Sequence, residues 1–242
     1  MSAGSWLCAY AITRNRPLAL GPGTRLVGHR ELGVVVADVD PARYERVDTL
    51  EPQDATLAEL VREHDAVVRA VFRQEPVLPL RFGSILDGED AAVRLLRAGY
   101  EQARACLADL DGHREWGVRV RRTASAPPSS RPDAGLTGTQ YLAQRRQKLK
   151  ADEQNRADLG AVAERLRDVL RRHAAGRADR TRAPGVLVDD AYLVPTAGES
   201  AFHGEVQRFA DEVRGHGATV ETTGPWPPYS FTGFELEVSA DG

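Results

Sequence analysis

The sequence predicts an α+β protein of two domains, and three observations point to this class. Hydrophobic residues make up 42% of the chain and charged residues of both signs make up 28%, as in ordinary globular proteins. Short strand-like apolar runs are interleaved with segments in which apolar residues recur every three or four positions, which is typical of helices. A length of 242 residues suffices for one large domain or two small ones.

The first part of the chain, residues 1–112, predicts an N-terminal α+β domain. Strands are predicted at Ser5–Ile12, Leu26–Gly28, Leu32–Val39 and Val77–Gly83. The third strand contains a continuous apolar run, which indicates burial on both faces. The fourth contains Pro79, which favours a sheet edge or a bulge. Helices are predicted at Asp54–Gln74 and Asp87–Leu110, each with its first aspartate as the N-cap.

The second part, residues 113–242, predicts a ferredoxin-like domain with a long helix at about 137–172 and a C-terminal tail. The predicted elements are a strand at Arg114–Arg122, the long helix, a strand or tight strand pair at Gly185–Val194, a helix at Glu199–Gly215 and a strand at Ala218–Thr223. This β-α-β-β-α-β order is the ferredoxin-like pattern. The boundary is placed near Gly112, and the proline-rich linker Thr123–Gly135 is a competing choice. Residues Phe234–Val238 alternate as a short last strand or tail.

The long predicted helix differs between its two halves. Its first half, Gln144–Asp158, is almost wholly polar, whereas its second half carries an apolar stripe from Leu159 to Leu170. The first half should therefore project into solvent or bridge domains, and the second half should pack. The basic run Arg145–Lys150 is interpreted as a solvated helix face.

Composition argues against several classes of partner. A net charge of −3 and an isoelectric point near 6.1 give no reason to expect nucleic acid or an anionic membrane as a partner. Two cysteines, Cys8 and Cys106, cannot form a disulfide framework. The sequence shows no signal peptide, and its apolar runs fall short of a membrane span, so a cytoplasmic protein without a lipid-membrane partner is expected.

The sequence contains no convincing catalytic constellation. Its six histidines are scattered, and no pair has the spacing of a zinc site. Asp189 and Asp190 are adjacent, but without further acidic neighbours they indicate a turn rather than a metal site. The prediction is a protein that is not an enzyme and has no cofactor and no metal.

The segment Gly224–Phe231 combines three prolines and three aromatic residues. Prolines fix φ and push the preceding residue to extended geometry, so the segment should be stiff and should hold Trp226 and Tyr229 in fixed directions. It should either anchor one part of the protein or present aromatic side chains to a partner. A structural anchor is the favoured interpretation.

Three sequence motifs together resemble those of the gas vesicle protein F/L family (GvpF/GvpL). They are Val77–Gly83, Arg114–Val120 and Gly224–Phe231, and Gly138–Leu142 and Ala191–Val194 support them. The resemblance runs in order along nearly the whole chain, although it does not decide between the F and L types. It also implies two domains, one with a modified ferredoxin-like fold.

The resemblance implies a non-enzymatic accessory protein of gas vesicles, the gas-filled protein shells that give cells buoyancy. Such a protein would bind the small apolar shell protein or other accessory proteins, assist the start of assembly, and in some cases stay on the gas-facing side of the shell. An exposed sheet edge could accept a strand of the shell protein. A groove lined by Trp226 and Tyr229 between the domains could instead accept an apolar helix.

The candidate structural or protein-contact residues come from these sequence motifs. They are Arg81, Phe82, Trp116, Tyr141, Trp226, Pro227, Pro228, Tyr229 and Phe231. Arg81 lies among apolar neighbours and is interpreted either as a paired structural arginine or as a ligand contact. The structural role is favoured, because a buried charge is usually kept by a carboxylate partner.

Two other interpretations remain open at this point. One is a small-molecule-binding regulator or enzyme on a ferredoxin-like scaffold, in which Arg81, Arg119 and the Asp189–Asp190 pair converge on a pocket. The other is a polyproline ligand for a recognition domain, which requires the segment from Trp226 to Tyr229 to be exposed.

Overall fold

A computed structural model describes residues 6–44, 54–123, 138–180 and 183–233 of the chain. Within these ranges it contains helices and two β-sheets, which confirms the predicted α+β class. Residues 124–135 of the predicted linker and the predicted terminal strand Phe234–Val238 lie outside the described residues.

Contacts divide the chain into two compact units, one of Met1–Arg114 with Trp226–Gly242 and the other of Glu115–Pro225. The segment that starts at Trp226 is therefore grouped with the N-terminal part of the chain. The predicted boundary near Gly112 and its competitor after Arg122 concern independent domains, and both stay predictions.

The first unit is a five-stranded sheet with three helices. Its strands are β1 (Trp6–Arg14), β2 (Thr24–His29), β3 (Leu32–Asp38), β4 (Val77–Pro79) and β5 (Ile85–Asp87), and its helices are α1 (Ala55–Phe72), α2 (Gly88–Ala98) and α3 (Tyr100–Leu110). The strand order is β2-β3-β1-β4, and β5 also pairs with β1. The side chains from Val34 to Val36 on central β3 are fully buried, as their continuous apolar run predicts.

Two features of the first unit differ from the prediction. The predicted helix Asp87–Leu110 is broken at Gly99, which has the non-helical angles φ −108° and ψ 17°. Glycine has little preference for the helix and separates two otherwise continuous apolar stripes at little steric cost. Asp87 makes no side-chain capping bond, whereas Asp54 accepts a hydrogen bond from the Thr56 amide at 2.8 Å and caps α1 as predicted.

The second unit has the ferredoxin-like element order. Its elements are β6 (His113–Arg122), α4 (Gly138–Arg171), β7 (Gly176–Asp179), β8 (Val186–Pro195), α5 (Glu199–Arg214) and β9 (Ala218–Trp226). They form a four-stranded sheet in the order β7-β8-β6-β9 with two helices. The predicted modified ferredoxin-like fold with a long helix is thereby confirmed.

The second strand of this pattern, β7, lies before the predicted strand or strand pair at Gly185–Val194 and was not predicted from the sequence. Strand β7 has no apolar alternation, because it reads Gly-Arg-Ala-Asp and sits at the edge of the sheet. Its side chains form ion pairs instead: Arg177 pairs with Asp179 and with Asp190. The predicted turn at Asp189–Asp190 is wrong for the related reason that both residues lie within buried β8.

Helix α4 has the two halves that its sequence predicts. From Leu159 onward its apolar stripe is buried against β8 and α5, together with Phe202 and Phe209 of α5. Residues 139–154 are all exposed. None of the described helices is both long enough and apolar enough to span a lipid bilayer.

Candidate functional site

The aromatic and proline segment docks on α1 within the first unit. The Trp226 ring lies over the guanidinium of Arg69, whose Cζ is 3.9 Å from the ring centroid. The Tyr229 hydroxyl donates a hydrogen bond to Asp65 Oδ1 at 2.8 Å, and Asp65 Oδ2 lies 2.6 Å from Arg69 Nε. Because residues four apart share one helix face, a single turn of α1 holds both aromatic side chains.

The prolines between the two aromatic residues are buried. Pro227 and Pro228 are both in the interior, and a turn follows in which the Phe231 amide donates to the Pro228 carbonyl at 3.1 Å. The Tyr229 side chain stays 39% exposed. A polyproline ligand must present its prolines, so that interpretation is excluded for these residues. Tyr229 is the part of the segment that a partner could reach.

Trp116 of β6 occupies a separate polar and aromatic cage in the second unit. Its indole Nε1 donates to Glu199 Oε1 at 3.0 Å, and its ring meets His203 edge-to-face at a centroid distance of 4.2 Å. Gly224 closes this cage at φ +134°, where an added Cβ would lie 2.9 Å from Trp116 Cε3 and from the Glu115 carbonyl oxygen. Only glycine fits there, which explains why one precedes the first proline of the segment.

The neighbours of Trp116 in β6 form a second tight contact. Glu115 is 1% exposed and accepts a hydrogen bond from Arg180 Nη2 at 2.5 Å. At Gly117 an added Cβ would lie 2.6 Å from Thr223 Oγ1 and 2.7 Å from Arg180 Nη1. The Glu-Trp-Gly motif therefore combines two features. Its glutamate is the buried partner of an ion pair, and its glycine makes a close packing contact.

A buried ionic network on β8 was not predicted from the sequence. Asp190 is fully buried and accepts from Arg167 Nε at 2.9 Å and from Arg177 Nη1 at 3.3 Å. Asp189 accepts from Arg119 Nε at 2.9 Å. Burial and the nearby Asp190 charge raise the pKa of Tyr192, whose hydroxyl also donates to this carboxylate. Two carboxylates inside an apolar strand run were the available signal, because such charges require arginine partners.

In the motif that follows β4, Phe82 and Arg81 lie in different environments. Phe82 is partly buried and meets the buried His64 edge-to-face, with 5.7 Å between ring centroids. Arg81 is exposed, and its side chain pairs with no carboxylate in the part of the chain that the structure describes. The favoured interpretation of Arg81 as a buried, paired arginine is therefore wrong, because the residue is exposed.

Tyr141 lies on the exposed half of α4 and is 41% exposed. Its hydroxyl accepts a hydrogen bond from Arg145 Nη1 at 3.3 Å, one helical turn further on. Two other large apolar side chains of this half, Leu142 and Leu149, are 58% and 60% exposed. These three residues form the apolar part of an otherwise polar helical surface.

The thiols and the metal-ligating residue types are arranged for structure. Cys8 is buried and Cys106 is partly buried, and burial raises the pKa of both thiols above the ordinary value. Both therefore stay protonated near neutral pH, in the form that is a poor nucleophile. Over the described ranges, no group of three or more His, Cys, Asp or Glu side chains is placed to hold a metal ion.

Comparison with known proteins finds matches over nearly the whole length of the chain. The family model described as gas vesicle synthesis protein GvpL/GvpF matches residues 8–233. Gas vesicle protein L of Streptomyces sp. (strain CB03234) is 30% identical over an alignment of 261 positions, which covers 98% of this chain and 96% of that protein. Gas vesicle protein F of Haloferax mediterranei is 25% identical, with 89% and 83% covered.

Solved structures show the same fold. The crystal structure of GvpF from Anabaena sp. PCC7120 matches with a TM-score of 0.70 at 17% identity and covers 96% of this chain and 98% of that one. GvpF from Microcystis aeruginosa matches with a TM-score of 0.66. The family resemblance of the three sequence motifs is thus confirmed, and the chain belongs to the gas vesicle synthesis protein GvpL/GvpF family.

Proposed function

We propose that this chain is a non-enzymatic accessory protein of gas vesicle assembly, which binds the small shell protein and other accessory proteins. The observation that carries the proposal is the family match over residues 8–233, which includes both units. In this role the protein acts in the cytoplasm, assists the start of shell assembly or holds shell protein before assembly, and stays in the vesicle as a minor component on the gas-facing side.

The physical need for such a protein follows from the shell. A shell subunit with an exposed apolar face would aggregate before assembly unless another protein covered that face. A cover of this kind needs accessible backbone or apolar surface. Strand β9 offers accessible backbone, because it forms one edge of the four-stranded sheet and its residues 221–225 are exposed. An edge strand presents unpaired backbone groups to which an extended segment of a partner can add.

Tyr229 offers accessible apolar surface. Its hydroxyl is held by Asp65, so its ring is oriented while 39% of the side chain stays exposed. An aromatic side chain that is fixed before binding loses little conformational entropy on contact with an apolar partner. We assign to Phe82, Trp116, Trp226, Pro227, Pro228 and Phe231 a structural role, and to Arg81, Tyr141 and Tyr229 a role in contacts.

Three of the four charged residues of the alternative function are engaged in ion pairs. Arg119 pairs with Asp189, and Asp190 is fully buried beneath Arg167. A pocket for a small molecule would need these groups to be accessible and unpaired. This engagement favours the binding protein over the regulator or enzyme.

Recovery of the shell protein tests the proposal. The tagged full chain is co-expressed with the shell protein, alone and together with the other accessory proteins, and the purified fraction is analysed for shell protein. The proposal expects recovery in at least one of these combinations. If no shell protein and no accessory protein is recovered in any combination, the proposed function is wrong.

A charge placed on the edge of β9 tests the mode of binding. Thr222→Lys adds one charge to the exposed edge, where a lysine blocks pairing with an added strand. Recovery of shell protein should fall about tenfold. The matched control Gln102→Lys adds the same charge to an exposed position of α3 and should leave recovery unchanged. Equal recovery with both variants would mean that β9 is not the binding edge.

A further inference from the structure

Strand β7 is an edge of the four-stranded sheet, opposite the edge formed by β9. The strand order β7-β8-β6-β9 places β8 on one side of β7, and none of the described strands pairs with its other side. The strand reads Gly-Arg-Ala-Asp; Ala178 is partly exposed, and the Asp179 side chain is 57% exposed. The outer side of an edge strand is a place where another strand can add.

The pairing with β8 decides which backbone groups of β7 face outward. Arg180 donates its amide to the residue opposite it in β8, Asp189, at 2.8 Å. Hydrogen-bonded and non-hydrogen-bonded pairs alternate along an antiparallel ladder. Ala178 therefore bonds to β8 as well, whereas Arg177 and Asp179 direct their amides and carbonyls to the outer side. Within the described residues these outward groups make no hydrogen bond.

The charges of β7 restrict the register in which a second copy of this chain could pair with it. A two-fold axis at Ala178 sets Arg177 opposite the Asp179 of the second copy. An axis at Arg177 would set two arginines opposite each other, and an axis at Asp179 would set two aspartates, and like charges directly opposite are destabilising. An axis between two residues would set outward groups against inward ones. Of these registers, only the axis at Ala178 pairs both the backbone groups and the charges.

The residues at and beside this axis leave room for a second copy. Ala178 would face itself, and its side chain is a single methyl group. Gly176 would face the Arg180 of the second copy, so a residue without a side chain meets a long one. Neither pairing sets two bulky side chains against each other, and the strand can therefore approach its own copy closely.

The charges of β7 are paired within one copy and can be paired again across the axis. Arg177 contacts the buried Asp190 at 3.3 Å and Asp179 at 3.0 Å. Asp190 keeps its contact in a dimer and so fixes the guanidinium before pairing, which lowers the entropy cost of binding. The exposed Asp179 can turn from the arginine of its own chain to that of the second copy. This exchange leaves none of the three charges unpaired.

We infer that β7 is the edge through which two copies of this chain pair, as antiparallel strands with a two-fold axis at Ala178. Every outward amide and carbonyl of Arg177 and Asp179 then has a partner. A charged edge resists most foreign strands, and a second copy supplies the matching charges by symmetry. The two sheets join into one continuous sheet with β9 at each end. The inference goes beyond the proposed function and leaves the edge of β9 accessible.

Cysteine crosslinking tests the register. The full chain carries Ala178→Cys, together with Cys106→Ser to remove the partly buried native thiol. Two residues in a non-hydrogen-bonded antiparallel pair have Cα atoms about 4.5 Å apart, which a disulfide can span. Mild oxidation should therefore link the chains into a dimer. The control Gly176→Cys lies on the same strand but about 14 Å along it from its own copy, so it should give no dimer.

Charge reversal tests the selection of the second copy. Asp179→Arg sets two arginines opposite each other and should lower the crosslink yield at position 178 about tenfold. The control Asp109→Arg makes the same change of charge at an exposed position of α3 and should keep the yield. Circular dichroism should be unchanged for both variants, because both aspartates are exposed.

Sedimentation of the parent chain tests pairing without a crosslink. Its mass should rise toward that of a dimer with increasing concentration, because so short an edge gives a weak interface, and Asp179→Arg should remain a monomer. A parent that is monomeric at every concentration up to about 1 mM overturns the inference. Equal crosslinking at positions 178 and 176, or a yield that Asp179→Arg leaves unchanged, overturns it as well. None of these measurements involves shell protein, so failure here leaves the proposed function standing.

Discussion

Replacement of Trp226 by alanine tests whether the aromatic segment is an anchor. In the first unit Trp226 is partly buried and stacks on the Arg69 guanidinium at 3.9 Å, and Pro227 and Pro228 follow it into the interior. The Trp226→Ala variant removes the ring but leaves the ion pair between Arg69 and Asp65 in place. It therefore changes one contact surface of α1 and leaves the charges of α1 unchanged.

The size of the effect follows from the contacts of the ring. A partly buried tryptophan side chain covers on the order of 130 Å², which corresponds to about 3 kcal/mol at 25 cal/mol per Å². The cation–π contact with Arg69 adds about 0.5 to 1 kcal/mol, because Arg69 keeps its carboxylate partner. The free energy of unfolding of the first unit should therefore fall by about 3.5 to 4 kcal/mol, or by less if the segment relaxes into the space.

Urea unfolding of the full chain, followed by far-ultraviolet circular dichroism, measures this change. Tryptophan fluorescence is unsuitable, because the variant lacks one of the three tryptophans. Hydrogen exchange of α1 amides locates the effect, which should be concentrated around Asp65 and Arg69. Tyr229→Phe is the matched control: it keeps the ring, removes the hydroxyl that donates to Asp65, and should cost less than about 1 kcal/mol at this exposed site.

One combination of results would refute the anchor. If Trp226→Ala unfolds at the same urea concentration as the parent, with unchanged α1 exchange, and yet recovers no shell protein, the segment is itself the binding contact. Loss of both stability and recovery agrees with an anchor that supports the assembled protein.

Three further predictions concern buried or closely packed residues. Asp190→Ala should destabilise the second unit by about 3 to 5 kcal/mol, because it leaves Arg167 buried without its main carboxylate; urea unfolding of the variant gives the value. Gly224→Ala should cost about 2 kcal/mol or more in the same assay, since its Cβ would lie 2.9 Å from the Trp116 ring. Burial lowers the pKa of His64 from its usual 6.5, more than the neighbouring Leu80 carbonyl and the Asp65 charge raise it. Because the pKa is lower in the folded state, this contribution to stability is present above pH 6.5 and is lost as the pH falls below it; His64→Leu should flatten that part of the pH profile.

The two halves of α4 show how far periodicity alone can go. The apolar stripe from Leu159 predicts packing, and the polar half predicts exposure, and the structure has both. The same reasoning locates α1 and its Asp54 cap, because the signals are local: a residue spacing and a side chain that bonds two residues ahead. Strand β7 escaped prediction because its stability comes from ion pairs and from pairing with β8 rather than from its own apolar residues.

The Glu-Trp-Gly motif shows what sequence alone cannot reveal, because its contact partners are distant in the chain. Its partners are Arg180, Glu199 and Thr223, which are 65 to 106 positions away in the chain. No local pattern connects such residues. Arg81 shows the converse, since its apolar neighbours in sequence suggested burial and the folded chain exposes it.

The sequence by itself determined the α+β class, the elements of the second unit other than β7, and the family, because helix and strand periods and an ordered set of motifs are properties of the chain. Only the tertiary structure decided which charges are paired and which aromatic residues are held. It placed Asp190 beneath Arg167 and Trp226 over Arg69, and it left Leu142 and Leu149 uncovered. Burial and pairing depend on side chains brought together by long-range folding, so they follow from the packed elements and not from the order of residues.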